Sequence, residues 1–295
     1  MNLSSFGMDS ITMTGTLECK LRAACDAGFA QIMLWATDLA GHPGGVREAL
    51  RLVRASGLRV TGLQLVRDYE GLDGAFHDHK REVAQQLLQL CQLAGAPLLL
   101  VGSSTSPHAD GAAPALARDL DRLAALAAPL GVRIGYEAVS WGRHVNVLAH
   151  AWSVVELAGH ANLGLVIDAF HVVARPGDLD CLGAIPSQKI FLVQLADCLL
   201  PTLASDADRR DTACHGQVFP GQGVHSAELA DLLQRLDRGG YRGDYSFEVC
   251  NDDFLVLPPA VVAQSAHRSA RWVTDQVLRR SLDMRRGSAS HSTML

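Results

Sequence analysis

Short apolar runs alternate with longer amphipathic stretches along the whole chain. The runs are Ser10–Met13, Gln31–Trp35, Leu58–Leu65, Pro97–Gly102, Val132–Ala138, Leu163–Asp168, Lys189–Asp197 and Asp244–Val249. Several are continuously apolar, as in parallel strands covered on both faces. Between them apolar residues recur at helical spacing. Leu17, Leu21, Ala24 and Cys25 share one face, as do Val83, Leu87, Leu90 and Leu93, and later Leu229, Leu232, Leu233 and Leu236. Small-residue breaks, such as Ser56-Gly57 and Ala94-Gly95, close helices ahead of the next strand. Eight strand–helix units predict an α/β protein, a (β/α)8 TIM barrel. A doubly wound sheet would need a phosphate-binding turn, and neither GxGxxG nor GxxxxGK[ST] occurs. The expected organisation is one catalytic barrel over residues 1–278 and a basic, Ser-rich C-terminal tail over residues 279–295. From Cys198 to Val224 no helical pattern stands out, which predicts a long functional loop leaving the C-terminal face.

Composition narrows the classes of function. A 295-residue chain that is 48% hydrophobic and 19% charged can build one large core. A net charge of -5 argues against a nucleic-acid or membrane-surface partner, both of which call for a basic face. No apolar run is long enough to span a bilayer. The start, MNLSSFGMDS, lacks the pattern of a secretory signal, so a cytoplasmic location is expected. Seven scattered cysteines without a CxxC predict mostly buried, inert thiols rather than a disulfide framework or zinc knuckle.

Barrel enzymes draw their reactive groups from the C-terminal ends of strands. Strands five to eight end at or near Glu137, Asp168, Gln194 and Glu248. Three carboxylates and an amide aimed at one axis repel one another unless a cation sits among them. Oxygen donors of this kind predict one divalent metal ion, Mg²⁺ or Mn²⁺ first, with Co²⁺ or Zn²⁺ tolerated. Any one of these residues could instead be a helix cap or a solvated group; the run of four over successive strands is what points to a metal. His171 follows Asp168 by three residues and opens the next loop, as a proton carrier or an extra ligand, or else as a loop histidine bonded to backbone. Arg67 and Arg143 follow strands three and five and could clamp an anionic substrate, or form surface ion pairs. Trp35, Tyr69 and Trp141 are candidates for the pocket wall.

These segments resemble a known family. GYEAVSWGRHVN, LGLVIDAFH, KIFLVQLAD, VFPGQG and FEVCNDDF are similar to bacterial 3-dehydroshikimate dehydratases of the xylose isomerase-like superfamily of sugar isomerases and epimerases. The similarity extends back through LVRDYEGL and LLLVGSSTSP. It implies that Glu137, Asp168, Gln194 and Glu248 hold the metal, that Glu137 and Glu248 also serve catalysis, and that His171 moves the proton. The implied reaction is a lyase reaction on a small anionic hydroxy-keto substrate, with α-proton removal and β-hydroxyl loss giving protocatechuate. An isomerase or epimerase of a sugar or keto acid is the alternative, since it shares the first step and then reprotonates. A retired, non-catalytic scaffold runs against retention of all four ligands. A repair endonuclease would want a histidine-rich zinc cluster and a basic groove. Some family members carry a dioxygenase-like domain after the barrel, and this chain ends before one could begin. Homo-oligomerisation stays open.

The resemblance has departures. Where an SRHFR-like stretch is expected before FPGQG, this chain has Ala213, Cys214, His215, Gly216 and Gln217. His215 is kept, and with Gln217 becomes the expected substrate contact from this loop. Cys214 and Gln217 stand where arginines are expected, leaving Arg209 or Arg210 to fold inward in their place. The second strand offers only Met33 and Asp38 where an acidic residue is expected.

Overall fold

The computed structural model describes residues 3–175, 177 and 179–278. Seven parallel strands come first: Phe6–Asp9 (β1), Gln31–Trp35 (β2), Arg59–Arg67 (β3), Leu98–Gly102 (β4), Arg133–Glu137 (β5), Leu163–Asp168 (β6) and Ile190–Leu195 (β7). A small antiparallel hairpin, Asp197–Cys198 (β8) with Gln217–Val218 (β9), precedes the eighth barrel strand, Tyr245–Phe247 (β10). The barrel closes as β10 pairs with both β7 and β1. The helices are Leu17–Asp26 (α1), Ala36–Ala40 (α2), Gly45–Ser56 (α3), Gly74–Ala94 (α4), Ala113–Ala127 (α5), Leu148–Ala158 (α6), Ala169–Ala174 (α7), Asp206–His215 (α8), Ser226–Arg238 (α9), Asp252–Leu255 (α10) and Pro259–Trp272 (α11). Gly57 and Gly95 end α3 and α4 with φ of 74° and 69°, a left-handed turn that only glycine adopts without cost.

Strand alternation sorts the core into two clusters. Leu99, Val101, Ile134, Tyr136, Leu165, Ile167, Val193 and Leu195 point outward to the helices. Met33, Leu98, Leu100, Val166, Phe191 and Leu192 form a separate, smaller plug inside the barrel. Gly164 makes room for it, since a Cβ there would lie 2.6 Å from the Phe191 ring. The same two-residue period carries the inward face from Gly135 to Glu137, Val166 to Asp168, Leu192 to Gln194 and Ser246 to Glu248. Gln194 is in register with Asp168 on one side and Ser246 on the other.

Four expectations need correction. The first strand is Phe6–Asp9, not Ser10–Met13, whose first three residues form a 3-10 turn. Phe6 and Met8 face outward, so β1 alternates instead of showing an apolar run. The stretch from Cys198 to Val224 holds the end of β8, α8 and β9. Ser205 caps α8 by a reciprocal box with Asp208, and only Thr212 and Ala213 of the helix are buried, so no apolar stripe marks it. In α4 the buried line is Ala84, Leu88 and Cys91, with Leu93 54% exposed. Of the cysteines, Cys91 and Cys198 are buried, Cys25, Cys181 and Cys250 partly so, and Cys19 and Cys214 are exposed. No described helix is long and apolar enough to cross a membrane. The stretch read as a tail, 279–295, lies outside the described residues.

Candidate active site

The inward ends of β5 and β6 and the residue after β10 bring Glu137, Asp168 and Glu248 to the floor of one cleft at the C-terminal end of the barrel, and Gln194 of β7 lies buried directly against Glu248. Donor atoms of Glu137, Asp168 and His171 lie within 4.8 Å of one another. Gln194 joins the other half: its Nε2 donates to Asp9 Oδ2 at 2.7 Å, to Gln64 Oε1 at 3.4 Å, and closely to Glu248 Oε2. Gln194 Oε1 and Glu137 Oε1 are buried without a hydrogen-bond partner.

Asp9 is the member that the sequence reading missed. Ending β1, it also accepts a hydrogen bond from Ser246 Oγ, and burial pushes its carboxyl up to about 7. Asp168 is likewise raised to about 7, by burial first and then by Asp9, against the Phe170 N–H that it caps. Glu137 is held well above the usual carboxylate range by burial, then by Asp168 and Asp9. Glu248 is held up in the same way by burial, Asp9, Glu137 and Asp168. Arg67, exposed at the end of β3, is the cation that eases Glu137 and Glu248 back toward ionisation. Two orphaned oxygens among mutually repelling, buried carboxyls fit a divalent cation held by oxygen donors.

His171 sits at the edge of this group. Its side chain is 10% exposed, with Nε2 3.7 Å from Asp168 Oδ2. Nδ1 is 3.1 Å from Ser140 Oγ, and the Trp141 ring meets the imidazole edge-on at 5.2 Å. Burial pushes its pKa down to about 3, so the ring is neutral across the physiological range.

The cleft above has a volume of about 880 Å³. Trp35 and Trp141 line it, whereas Tyr69 is buried against His77 outside the lining. Lys20 and Asp38, paired at 2.8 Å, form another wall, so Asp38 is tied to Lys20 and is no member of the acidic floor. A buried brace lies behind Ser103, which lines the cleft. Glu70 accepts from Ser104 N at 2.6 Å and Tyr136 O–H at 2.8 Å, and burial raises it to about 7.

The xylose isomerase-like TIM barrel family matches residues 21–275. The chain belongs to that family. A 3-dehydroshikimate dehydratase of Pseudomonas aeruginosa is 38% identical over 267 residues, 90% of this chain and 41% of the relative. The chain thus spans about two-fifths of that relative's length. A 3-dehydroshikimate dehydratase of Neurospora crassa is 25% identical, with 91% of this chain and 90% of the relative covered. Among solved structures, a xylose isomerase-like TIM barrel/4-hydroxyphenylpyruvate dioxygenase fusion protein superposes with a TM-score of 0.88 at 33% identity, over 95% of this chain and 44% of that one.

In this xylose isomerase-like barrel the four expected substrate contacts divide. Arg67 and Gln217 line the cleft. Gln217 is already tied, its Oε1 accepting from Cys250 N at 2.7 Å and its backbone O from Asn251 Nδ2 at 2.7 Å. Arg143 and His215 lie outside the lining. The turn carrying Arg143 is pinned by its own N–H to Ser104 O at 2.8 Å, which leaves Trp141 to face the cleft. His215, at the end of α8, points away to Asp252 at 3.0 Å.

Proposed function

We propose that this barrel is a divalent-metal-dependent lyase that dehydrates 3-dehydroshikimate, or a closely related hydroxylated ring acid, to an aromatic product. The observation that carries this reading is the floor of the cleft: buried carboxyls with no direct Lys or Arg ion pair among the described residues, beside a neutral imidazole. The names of the Pseudomonas and Neurospora relatives supply the substrate class. Because the Neurospora protein is matched over 90% of its length, the reading does not depend on the unmatched part of the Pseudomonas one.

Glu137, Asp168, Glu248 and Gln194, the last through its orphaned Oε1, would hold the cation, with Mg²⁺ or Mn²⁺ favoured and Co²⁺ or Zn²⁺ accommodated. The bound ion supplies Lewis-acid polarisation of the substrate ketone, which acidifies the neighbouring C–H. His171 then takes the α-proton, a role open to it because burial keeps the ring unprotonated. With Nδ1–H donated to Ser140 Oγ, the Nε2 lone pair is the one left for that proton. As the α C–H breaks, the carbon–carbon double bond forms and the β C–O bond breaks. His171 returns its proton to the leaving hydroxide, water departs, and the ring tautomerises to the aromatic product. Arg67 offsets the negative charge of an acid substrate above the acidic floor.

The test is direct. Metal-loaded protein incubated with 3-dehydroshikimate should form protocatechuate, read by its ultraviolet absorbance. No product with Mg²⁺, Mn²⁺ or Co²⁺ sinks the lyase reading for that substrate. A non-aromatic isomer would replace it with the isomerase reading, which shares proton abstraction and ends in reprotonation.

A further inference from the structure

Helix α8 presents Ala207, Arg210 and Cys214 to the cleft at helical spacing. Among the described residues, three Lys and Arg side chains line this cleft, Lys20, Arg67 and Arg210. Lys20 is neutralised by Asp38. Neither the Arg67 nor the Arg210 guanidinium has a hydrogen bond or ion pair among the described residues. The acids of the rim are tied elsewhere: Asp68 accepts from Thr105 at 2.7 Å and 3.0 Å, and Asp206 pairs with Arg209 at 2.7 Å.

The contrast with Arg209 is informative. One residue earlier, and so roughly 100° round the helix, Arg209 donates to Ala174 O at 3.0 Å, Ala204 O at 3.3 Å and Asp206 Oδ1 at 2.7 Å. It fastens α8 to the end of α7. Arg210, with no such anchoring role, stands on the cleft side of the same helix with its charge uncompensated. A bound divalent ion cancels only part of the acidic floor, so an anionic ligand needs positive charge above it. Two unpaired guanidinium groups at the rim provide that charge, in a planar form matched to a carboxylate.

We infer that Arg210 is a specificity-determining residue that, with Arg67, holds the carboxylate of a ring-acid substrate in the cleft. The oxygenated edge of the ring is thereby turned down toward Glu137, Asp168 and Glu248. This deepens the proposed function, on which it rests for the class of ring acid, and it distinguishes acids from neutral polyols of similar size.

Binding without turnover tests it. Calorimetry on the Mn²⁺-loaded full chain compares 3,4-dihydroxybenzoate with catechol, which differ by the carboxylate. The unaltered protein should bind the acid at least about tenfold more tightly, the order expected for a charge-assisted hydrogen bond. Arg210→Ala should erase about tenfold of the acid's affinity, leave catechol within about twofold, and be partly rescued by Arg210→Lys. Arg143→Ala removes the same charge from outside the cleft and should change neither ligand. The inference is overturned by equal affinities of the unaltered protein for the two ligands, by an Arg210→Ala protein that keeps the acid's affinity or loses catechol to the same degree, or by an equal loss in Arg143→Ala. A failed dehydration assay leaves these binding results readable, so the two readings fall separately.

Discussion

At the N-terminal end of the barrel, Arg59 donates to both carboxylate oxygens of Asp244, at 2.7 and 2.8 Å, and closely to Gln31. At the same end, where β5 begins, Arg133 lies 4.3 Å over the Phe191 ring. At the C-terminal end, burial raises the proton affinity of Asp9, Glu137, Asp168 and Glu248, Asp9 adds to it at the other three, and Arg67 relieves Glu137 and Glu248. One end pairs unlike charges across strands; the other gathers like charges and leaves buried oxygens without donors. The first arrangement is built for stability. The second is unfavourable until a cation arrives, and a barrel puts that kind of arrangement where its loops can admit a substrate.

The largest expected effect comes from breaking the acidic end. Glu137→Ala should abolish stoichiometric metal binding by calorimetry and lower turnover at least about a thousandfold, the loss of several kcal/mol of Lewis-acid stabilisation. Retained one-to-one binding would remove Glu137 from the ligand set.

A smaller effect, on the order of a few kcal/mol, should appear when the acidic end is titrated rather than mutated. Asp9 and Asp168 are raised from 3.8 to about 7. Between those values the folded protein holds protons that the unfolded chain has released. Stability from these groups is therefore fully present below pH 3.8 and is lost as pH rises through about 7. The thermal midpoint of metal-free protein should fall over that window, and saturating Mn²⁺ should flatten the fall by standing in for the protons. A midpoint with the same slope with and without Mn²⁺ would contradict a cation site built from these carboxyls.

At the paired end, Asp244→Ala should cost about 1–2 kcal/mol in urea unfolding, a modest figure because the Arg59 side chain is 53% exposed and screened. Metal stoichiometry and turnover per folded molecule should not change. Loss of metal binding in this variant would mean that the two ends are coupled through the interior plug.

The two ends were not equally legible in the sequence. Glu137 and Asp168 close, and Gln194 stands one residue short of closing, strands whose apolar runs are long enough to frame them, and Glu248 follows directly on β10. Asp9 closes a four-residue strand, FGMD, whose alternation carries too little hydrophobic signal to set its ends. The helix that fastens the rim was hidden because DADRRDTACH has no apolar face, although its Ser205–Asp208 box was there to be read. Arg209 and Arg210 are chemically identical neighbours. Only the rotation of α8, fixed by the contacts of Arg209 with Ala174 and Asp206, assigns one to anchorage and the other to the cleft. The paired Arg59 and Asp244 are 185 residues apart, beyond any local pattern.

The smallest expected effect sharpens where the acidic end stops. The side chains of His215 and Asp252 are 55% and 64% exposed, and their 3.0 Å contact lies outside the cleft lining. The hydrogen bond to Asp252 raises the histidine's pKa above 6.5. Any stability that this pair contributes is therefore full below pH 6.5 and lost as pH rises through the raised value. In His215→Ala, kcat/KM at pH 8 should stay within about twofold of the unaltered protein, since an exposed, solvent-screened pair carries little weight, and metal affinity should not move. The residue sits one position after Cys214 on α8, so the helix's rotation decides the outcome. If α8 turned to bring His215 inward, Arg210 would leave the cleft with the same motion, and a tenfold or larger loss of kcat/KM, on the scale of a lost charged hydrogen bond, would count against both assignments at once.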